Sequence, residues 1–200
     1  MDCLSLLQEI KEWLSENVPG ALESLNSSAT EWDLRKLKFA LPSATPSQIF
    51  QLLAVHNGER GDLRNGLLPD GFRLLPVKDI LEAYLYALKN PGETPEEGLR
   101  LLESRIRFAK GAVFPICGNA FRIPFAACNF EIFWQIDLIP APGGKIGQII
   151  REDVEDGSWE VISDSLESLL HSYLQALKAG LFVIDFDGNI QDENDLWRPN

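Results

Sequence analysis

Positive charge is scarce in this sequence. Of its 200 residues, 18 are Lys or Arg against 30 Asp or Glu, a formal net charge of −12. Gripping nucleic acid through its phosphates requires a basic face, and an anionic membrane surface asks for the same. The balance argues against both partner classes and favours a protein partner with a basic surface. Cysteine is equally sparse: Cys3, Cys117 and Cys128 are odd in number and lack any C-x-x-C spacing. Neither a disulfide framework nor a zinc site is expected from them, and no other metal or cofactor is implied. No uncharged apolar run approaches the roughly 18 residues of a membrane span. The first positive charge is Lys11, so a secretory leader is not expected and the chain reads as cytoplasmic. What is present is ordinary: 45% hydrophobic and 24% charged residues, the composition of a folded chain. A chain this long can bury about 70% of its unfolded surface without covalent help.

Leu4, Leu7, Ile10, Trp13 and Leu14 form an apolar stripe at helical spacing that runs to Asn17, where Pro19-Gly20 stops it. Residues 20–44 are the least patterned and read as loop. Thr45-Pro46-Ser47-Gln48 predicts a helix start with Thr45 as cap and Gln48 closing a capping box, ending at Asn57-Gly58. A short strand over Phe72 to Leu75 precedes a helix with Ile80, Leu81, Tyr84, Leu85 and Leu88 on one face. Thr94-Pro95-Glu96-Glu97 starts another, with Leu99, Leu102 and Ile106 as its buried side.

The period then changes to two. Phe130, Ile132, Trp134, Ile136 and Leu138 alternate with Glu131, Phe133, Gln135 and Asp137. Pro124, within the run Phe121, Ile123 and Phe125, marks an edge or a bulge, because proline cannot donate to a ladder. Ile146–Ile150 and Trp159–Ile162 predict further strands joined by antiparallel hairpins. Asp164 or Ser163 caps a strong last helix carrying Leu166, Leu169, Leu170, Tyr173, Leu174 and Leu177; Leu181–Phe186 reads as a final strand. Helices first, then strands, then a closing helix imply an α+β fold with a central, mainly antiparallel sheet and flanking helices.

Residues 152–195 hold twelve acids against the single base Lys178, so nearly all of the net charge sits there. Within it, Asp185-Phe186-Asp187-Gly188 resembles the strand-plus-aspartate signature of haloacid-dehalogenase-type phosphatases. Only eleven residues follow Asn189, so the remaining partners of such a site have nowhere downstream to come from. An Asp-Gly turn is the simpler reading. An EF-hand beginning at Asp185 would need Gly where Ile190 stands and Glu where Leu196 stands. His56 and His171 are at no telling spacing from Cys117 or Cys128, and Gly143-Gly144-Lys145 lacks phosphate-loop spacing. No catalytic residue is therefore assigned.

The order of motifs carries more than any one of them. Leu41-Pro42 precedes the helix that ends in His56-Asn57-Gly58; Gly71-Phe72-Arg73-Leu74-Leu75 leads into the next helix. Ile123-Pro124-Phe125-Ala126, Ile136-Asp137-Leu138 with Pro140, and Gly144 with Gly147-Gln148-Ile149-Ile150 follow, then the terminal Leu-rich helix with Ser165 and Gly180. In this series the chain resembles the Smi1/Knr4 family of the SUKH superfamily over residues 40–190. Residues 1–39 are then an N-terminal helical extension, 91–110 an inserted helix, and 191–200 an acidic tail. Cys128-Asn129 stands where the family often has Asp-Gly.

The resemblance implies a SUKH-like, non-catalytic domain that works by binding another protein. Bacterial members commonly act as immunity proteins that neutralise toxins, often nucleases; fungal relatives serve as regulatory scaffolds of cell-wall synthesis. The main expectation is toxin neutralisation by occlusion, with the regulatory scaffold as first alternative and a metal-dependent phosphatase using Asp185 and Asp187 as second. The expected partner-binding residues are Glu152, Asp153, Glu155, Asp156, Trp159 and Glu160, offering complementary charge to a basic partner.

Overall fold

The computed structural model describes residues 1–61, 66–129, 131–185 and 188–192. Helix α1 (Cys3–Asn17) starts where the Asp2 carboxylate accepts from the Ser5 N–H and buries Leu6, Leu7, Ile10 and Leu14. Its apolar face and that of α6 (Leu166–Lys178) lie in one continuous cluster with the sheet. Ser165, one residue beyond the expected caps, starts α6 by accepting from the Ser168 N–H at 3.1 Å. The expected caps are otherwise engaged: Asp164 pairs with Lys145, and the Ser163 hydroxyl donates to the Ser165 carbonyl.

Four helices differ from expectation for local reasons. Residues 20–44 contain α2 (Glu31–Ala40), capped by Thr30, whose hydroxyl accepts from the Asp33 N–H at 3.1 Å. Only Leu37 of α2 is buried, so there is no wide apolar stripe to betray it. Helix α3 (Ser47–Val55) begins after Pro46, whose extended backbone holds Thr45 away from the capping position. The Thr45 hydroxyl is buried without a partner, so the expected box does not form. The second expected box does form: before α5 (Pro95–Arg105), Glu97 accepts from the Thr94 N–H and Thr94 from the Glu97 N–H. Here Gly98, not Leu99, faces inward. A Cβ on Gly98 would lie 2.7 Å from Ile116, and this close approach turns Leu99 out to solvent. The side chains of Leu102 and Ile106 lie outside the described ones. On α4 (Val77–Lys89) the buried residues are Val77, Ile80 and Tyr84, while Leu85 and Leu88 are exposed.

The sheet has the order β1 (Arg73–Leu74), β3 (Arg122–Cys128), β4 (Ile132–Asp137), β5 (Gln148–Asp153), β6 (Ser158–Ser163), β2 (Ala109–Lys110). All neighbours are antiparallel except β2 and β6. The register of β3 on β4 shifts between Pro124 and Ala126, so Pro124 marks a bulge in an interior strand rather than an edge. Ile146 precedes β5 and is exposed, since the strand begins only at Gln148. A separate hairpin, β7 (Val183–Ile184) and β8 (Ile190–Gln191), closes the described chain; Phe186 and Asp187 lie outside the described residues.

On one face of the sheet Ile123, Trp134, Ile136 and Ile149 are fully buried. Trp134 stacks on Phe72 with ring centroids 4.3 Å apart. Phe130 lies outside the described residues. The opposite face, polar in sequence, is also buried: Arg122, Gln135, Asp137, Gln148 and Glu152 are each at most 7% exposed.

The turn after α3 joins the layers. The His56 Nδ1–H donates to the Asn26 carbonyl, which only accepts, so Nε2 accepts from the Lys11 ammonium at 2.8 Å. Burial, reinforced by Lys11, holds this imidazole below its usual pKa. Asn57 Oδ1 accepts from the Val77 N–H and so caps α4. Gly58 is left-handed (φ 68°), and a Cβ there would lie 2.4 Å from the Pro76 nitrogen. The Glu59 carboxylate accepts from the Ser24 hydroxyl and the Leu67 and Leu74 N–H groups at 2.7–2.9 Å.

Two outcomes follow for stability. Trp134→Ala should cost roughly 3–5 kcal/mol in chemical denaturation, the range for emptying a large aromatic site; a loss under about 1 kcal/mol would mean the stack with Phe72 bears little of the core. Burial raises the Glu59 pKa above the usual 4.5 despite its three donors. The folded state therefore holds this proton more tightly, and the associated stability is full below about 4.5 and is lost as pH climbs through the raised value. Glu59→Gln should then lose less stability relative to wild type at pH 7 than at pH 4.5. An equal or larger loss at pH 7 would show that the carboxylate is at home ionised.

Candidate binding groove

The polar face of the sheet is a set of matched cross-strand groups. Arg122, Asp137 and Gln148 lie side by side across β3, β4 and β5. The Arg122 guanidinium donates to the Ile116 and Phe114 carbonyls, and its Nε stands 3.7 Å from Asp137 Oδ1 without a hydrogen bond. Asp137 accepts from the Gln148 amide at 2.9 Å and the Ile139 N–H at 3.1 Å. Burial pushes the Asp137 carboxyl above its usual range, opposed chiefly by Arg122. One pair further along, Glu152 accepts from the Gln135 amide at 2.6 Å and from the Trp159 indole at 3.0 Å.

Over this layer lies a groove of about 650 Å³, within the size range of ligand sites. One wall is α4, which presents Asp79, Glu82, Ala83 and Tyr86, spaced so that they share a helix face. The other wall and floor are Arg122, Pro124, Phe133, Gln135, Glu152 and Val154, with residues 117–119 closing one end. Tyr86 and Val154 stand together at its mouth, 69% and 59% exposed. On the floor, Gln135 Oε1 is buried and has no donor. Glu152 can only accept, so it fixes the amide with Nε2 toward itself and leaves Oε1 without a partner. An acceptor left in that state costs about 1–3 kcal/mol.

The residues expected to bind a partner are divided by the structure. Glu152 and Trp159 face each other in the buried layer, and Glu152 also lines the groove. Asp153 is buried, pairs with Arg151 and accepts from the Asp156 N–H; Glu160 is buried opposite Lys110. Only Glu155 and Asp156, on the β5–β6 turn, are exposed. Charge in sequence had pointed to all six, but four of them face partners inside the protein. Asp79, Glu82, Tyr86 and Gln135 were missed because they belong to a helix face and a strand face that read as ordinary amphipathic surfaces. The exposure of Tyr86 depends on how α4 is rotated, which its sequence does not show.

The groups tested for chemistry have other occupations. Asp185 accepts from the backbone and side-chain N–H groups of Asn189, and so shapes the β7–β8 turn. Its expected partner Asp187 lies outside the described residues. His56 is bonded to Lys11 and Asn26, and His171 is on the exposed side of α6. Desolvation, with Glu152 and Glu93 nearby, pushes the Cys117 thiol up rather than toward a reactive thiolate. Among the described residues no group of three His, Cys, Asp or Glu is placed to hold a metal ion, and no helix is long and apolar enough to cross a membrane.

Among the described residues, six α-helices and a mostly antiparallel six-stranded sheet define an α+β protein. No family profile matches the chain. It is 27% identical to KNR4/SMI1 homolog 2 of Debaryomyces hansenii over 90% of its own length, and 26% identical to the cell wall biosynthesis/cell cycle regulator smi1 of Schizosaccharomyces pombe over 91%. It is 23% identical to the cell wall assembly regulator SMI1 of Saccharomyces cerevisiae, again over 91%. With the ordered motifs, these likenesses support membership of the Smi1/Knr4 family. The chain spans 36%, 37% and 42% of the length of these relatives. The Schizosaccharomyces pombe and Saccharomyces cerevisiae proteins are named as cell-wall regulators rather than enzymes, which fits the cell-wall alternative better than toxin immunity.

Breaking the buried Arg122–Asp137 pair tests how the groove floor is held. Arg122→Met strands a carboxylate that is fully buried, and should cost roughly 3–5 kcal/mol. Adding Asp137→Asn should restore part of that loss in thermal or denaturant unfolding, because the uncompensated charge is gone while an acceptor remains for the Ile139 N–H. A double variant no better than the single one would show that the Arg122 bonds to the 114 and 116 carbonyls, not the ion pair, hold the floor.

Proposed function

We propose that this chain is a non-catalytic, protein-binding domain of a cell-wall regulator, acting as a scaffold on a partner with a basic surface. The observation that carries the reading is the groove between α4 and the polar face of the sheet, rimmed by Asp79 and Glu82 and opened by exposed Tyr86 and Val154. Tyrosine at the mouth of a concave surface is the residue type that dominates protein interfaces. The net charge of −12 favours approach of a cationic partner, and the exposed Glu155 and Asp156 add to that field. The names of the Schizosaccharomyces pombe and Saccharomyces cerevisiae relatives, read with the motif order, supply the cell-wall context. Toxin neutralisation draws no support from those relatives.

The test is a chimera. The matching segment of the Saccharomyces cerevisiae regulator is replaced by this chain, and growth is scored on a dye that perturbs the cell wall. The chimera should grow like the intact regulator and unlike a deletion of the segment; a folded, expressed chimera no better than the deletion would overturn the proposal. In parallel, purified protein with magnesium should turn over a generic phosphomonoester no faster than its Asp185→Asn variant. Activity present in the wild type and lost in that variant would restore the enzyme alternative.

A further inference from the structure

We propose that the groove takes a basic–apolar peptide segment of the partner, with an apolar side chain seated between Tyr86 and Val154 and a lysine reaching the acidic rim and the amide of Gln135. This rests on the protein-binding reading above and names the chemistry of its occupant.

Three independent observations fix that chemistry. The mouth is apolar, since Tyr86 and Val154 are exposed and Ala83, Pro124 and Phe133 continue the apolar surface inward. Water-exposed apolar groups in a concave site favour an apolar occupant. The charge of the lining is acidic: Asp79, Glu82 and Glu152 stand against Arg122 alone, and Arg122 is already turned toward Asp137 and two carbonyls. An anionic segment would meet like charge on α4, while a cationic one meets its complement.

The third observation is the unmet acceptor. Gln135 is 7% exposed, lines the groove, and its Oε1 has no donor. Because Glu152 holds Nε2, the amide cannot turn over to satisfy itself. What the site lacks is therefore a hydrogen-bond donor, not an acceptor. A lysine ammonium has three donors and no acceptor, and so answers both the rim and the floor. A hydroxyl or a peptide N–H would answer the floor alone.

The test uses fluorescence polarisation with three peptides of equal length, one alternating Lys and Leu, one alternating Glu and Leu, and one alternating Lys and Ser. The Lys–Leu peptide should bind, the Glu–Leu peptide should not, and the Lys–Ser peptide should bind at least about tenfold more weakly. Tyr86→Ala should weaken the Lys–Leu peptide by about tenfold, and Asp79→Asn with Glu82→Gln by about fivefold. Both variants change exposed or half-exposed positions, and unchanged thermal unfolding checks that they fold.

Nuclear magnetic resonance supplies a readout that bulk charge attraction does not move: the side-chain amide signals of Gln135 should shift on addition of the Lys–Leu peptide. Glu155→Lys with Asp156→Lys should leave the affinity within about twofold, since that turn lies outside the groove. Binding that ignores Tyr86→Ala and the α4 neutralisation but falls with the turn reversal would overturn the groove and place the contact on the β5–β6 turn. Equal binding of the Glu–Leu peptide, or a Gln135 amide that does not respond, would overturn it too. The two proposals fail separately. Tyr86→Ala that loses the peptide yet supports wild-type growth in the chimera rejects the groove and leaves the scaffold reading standing, whereas a wild-type chimera without function rejects the scaffold.

Discussion

The structure depends on a single carboxylate placed where water cannot reach it. Glu59 collects a hydroxyl from residue 24, thirty-five positions back, and backbone donors from residues 67 and 74 on the chain that follows it. Those donors would otherwise be buried and unpaired, which is costly for backbone groups. The three preceding residues carry the same junction outward. His56 ties α1 to the 24–27 segment through Lys11 and Asn26, and Asn57 caps α4. Gly58 admits the backbone of residues 74–76 at a distance no side chain tolerates. The His-Asn-Gly run thus has a structural account for each residue, and none of them needs to be catalytic. Because α4 begins at this junction, the wall of the groove is positioned by it.

A sheet buried on both faces usually needs two apolar faces. Here the second face is polar, and it is tolerated because its groups arrive in complementary sets. Arg122, Asp137 and Gln148 meet in register, while Glu152 meets Trp159 in register and reaches Gln135 one step diagonally. Almost every donor and acceptor in these sets is used, which is the condition under which a buried polar layer is stable rather than disruptive. Two atoms of these sets are left without a hydrogen bond: Arg122 Nε, beside Asp137, and Gln135 Oε1, which lies where the layer meets the groove. An unmet acceptor in that position is more readily understood as a docking point than as an error of packing, since the same amide is otherwise held firmly by Glu152.

How much was legible in the sequence depended on whether a residue's partner was local. The α6 stripe, the alternation of β4, the Thr94–Glu97 box and the irregularity at Pro124 are all written within a few residues, and all are present. Helix α2 was hard to read because a helix with one buried residue has no wide apolar stripe, and its signals were confined to its ends: the Thr30 cap, Glu31 and Asp33 in the first turn and Lys38 in the last. Leu99 was misjudged because the decisive contact is Gly98 against Ile116, eighteen positions away. For the site the limit was sharper. An acid's type and spacing do not reveal whether it points at water or at a tryptophan, so Glu152, Asp153 and Glu160 read as surface while their partners lay on neighbouring strands. Likewise the alternation of β4 correctly separated Gln135 and Asp137 from the apolar face, but could not show that their own face is covered as well.

The burial of those acids changes what the net charge can do. A carboxylate inside a matched pair contributes little to the field felt at a distance, because its partner cancels it within a few ångströms. Asp153 beside Arg151 and Glu160 beside Lys110 are of this kind. The long-range acidity then comes from unpaired positions spread over the surface, which can steer a cationic partner toward the molecule without saying where it lands. Landing requires a place where charge, shape and an unmet hydrogen-bonding group coincide. Glu155 and Asp156 supply charge on a turn. The groove alone, among the described surfaces, adds to its acidic rim an exposed apolar mouth and an acceptor awaiting a donor. Steering and anchoring are therefore assigned to different features: the spread of surface acids draws a cationic partner in, and the groove sets how long it stays.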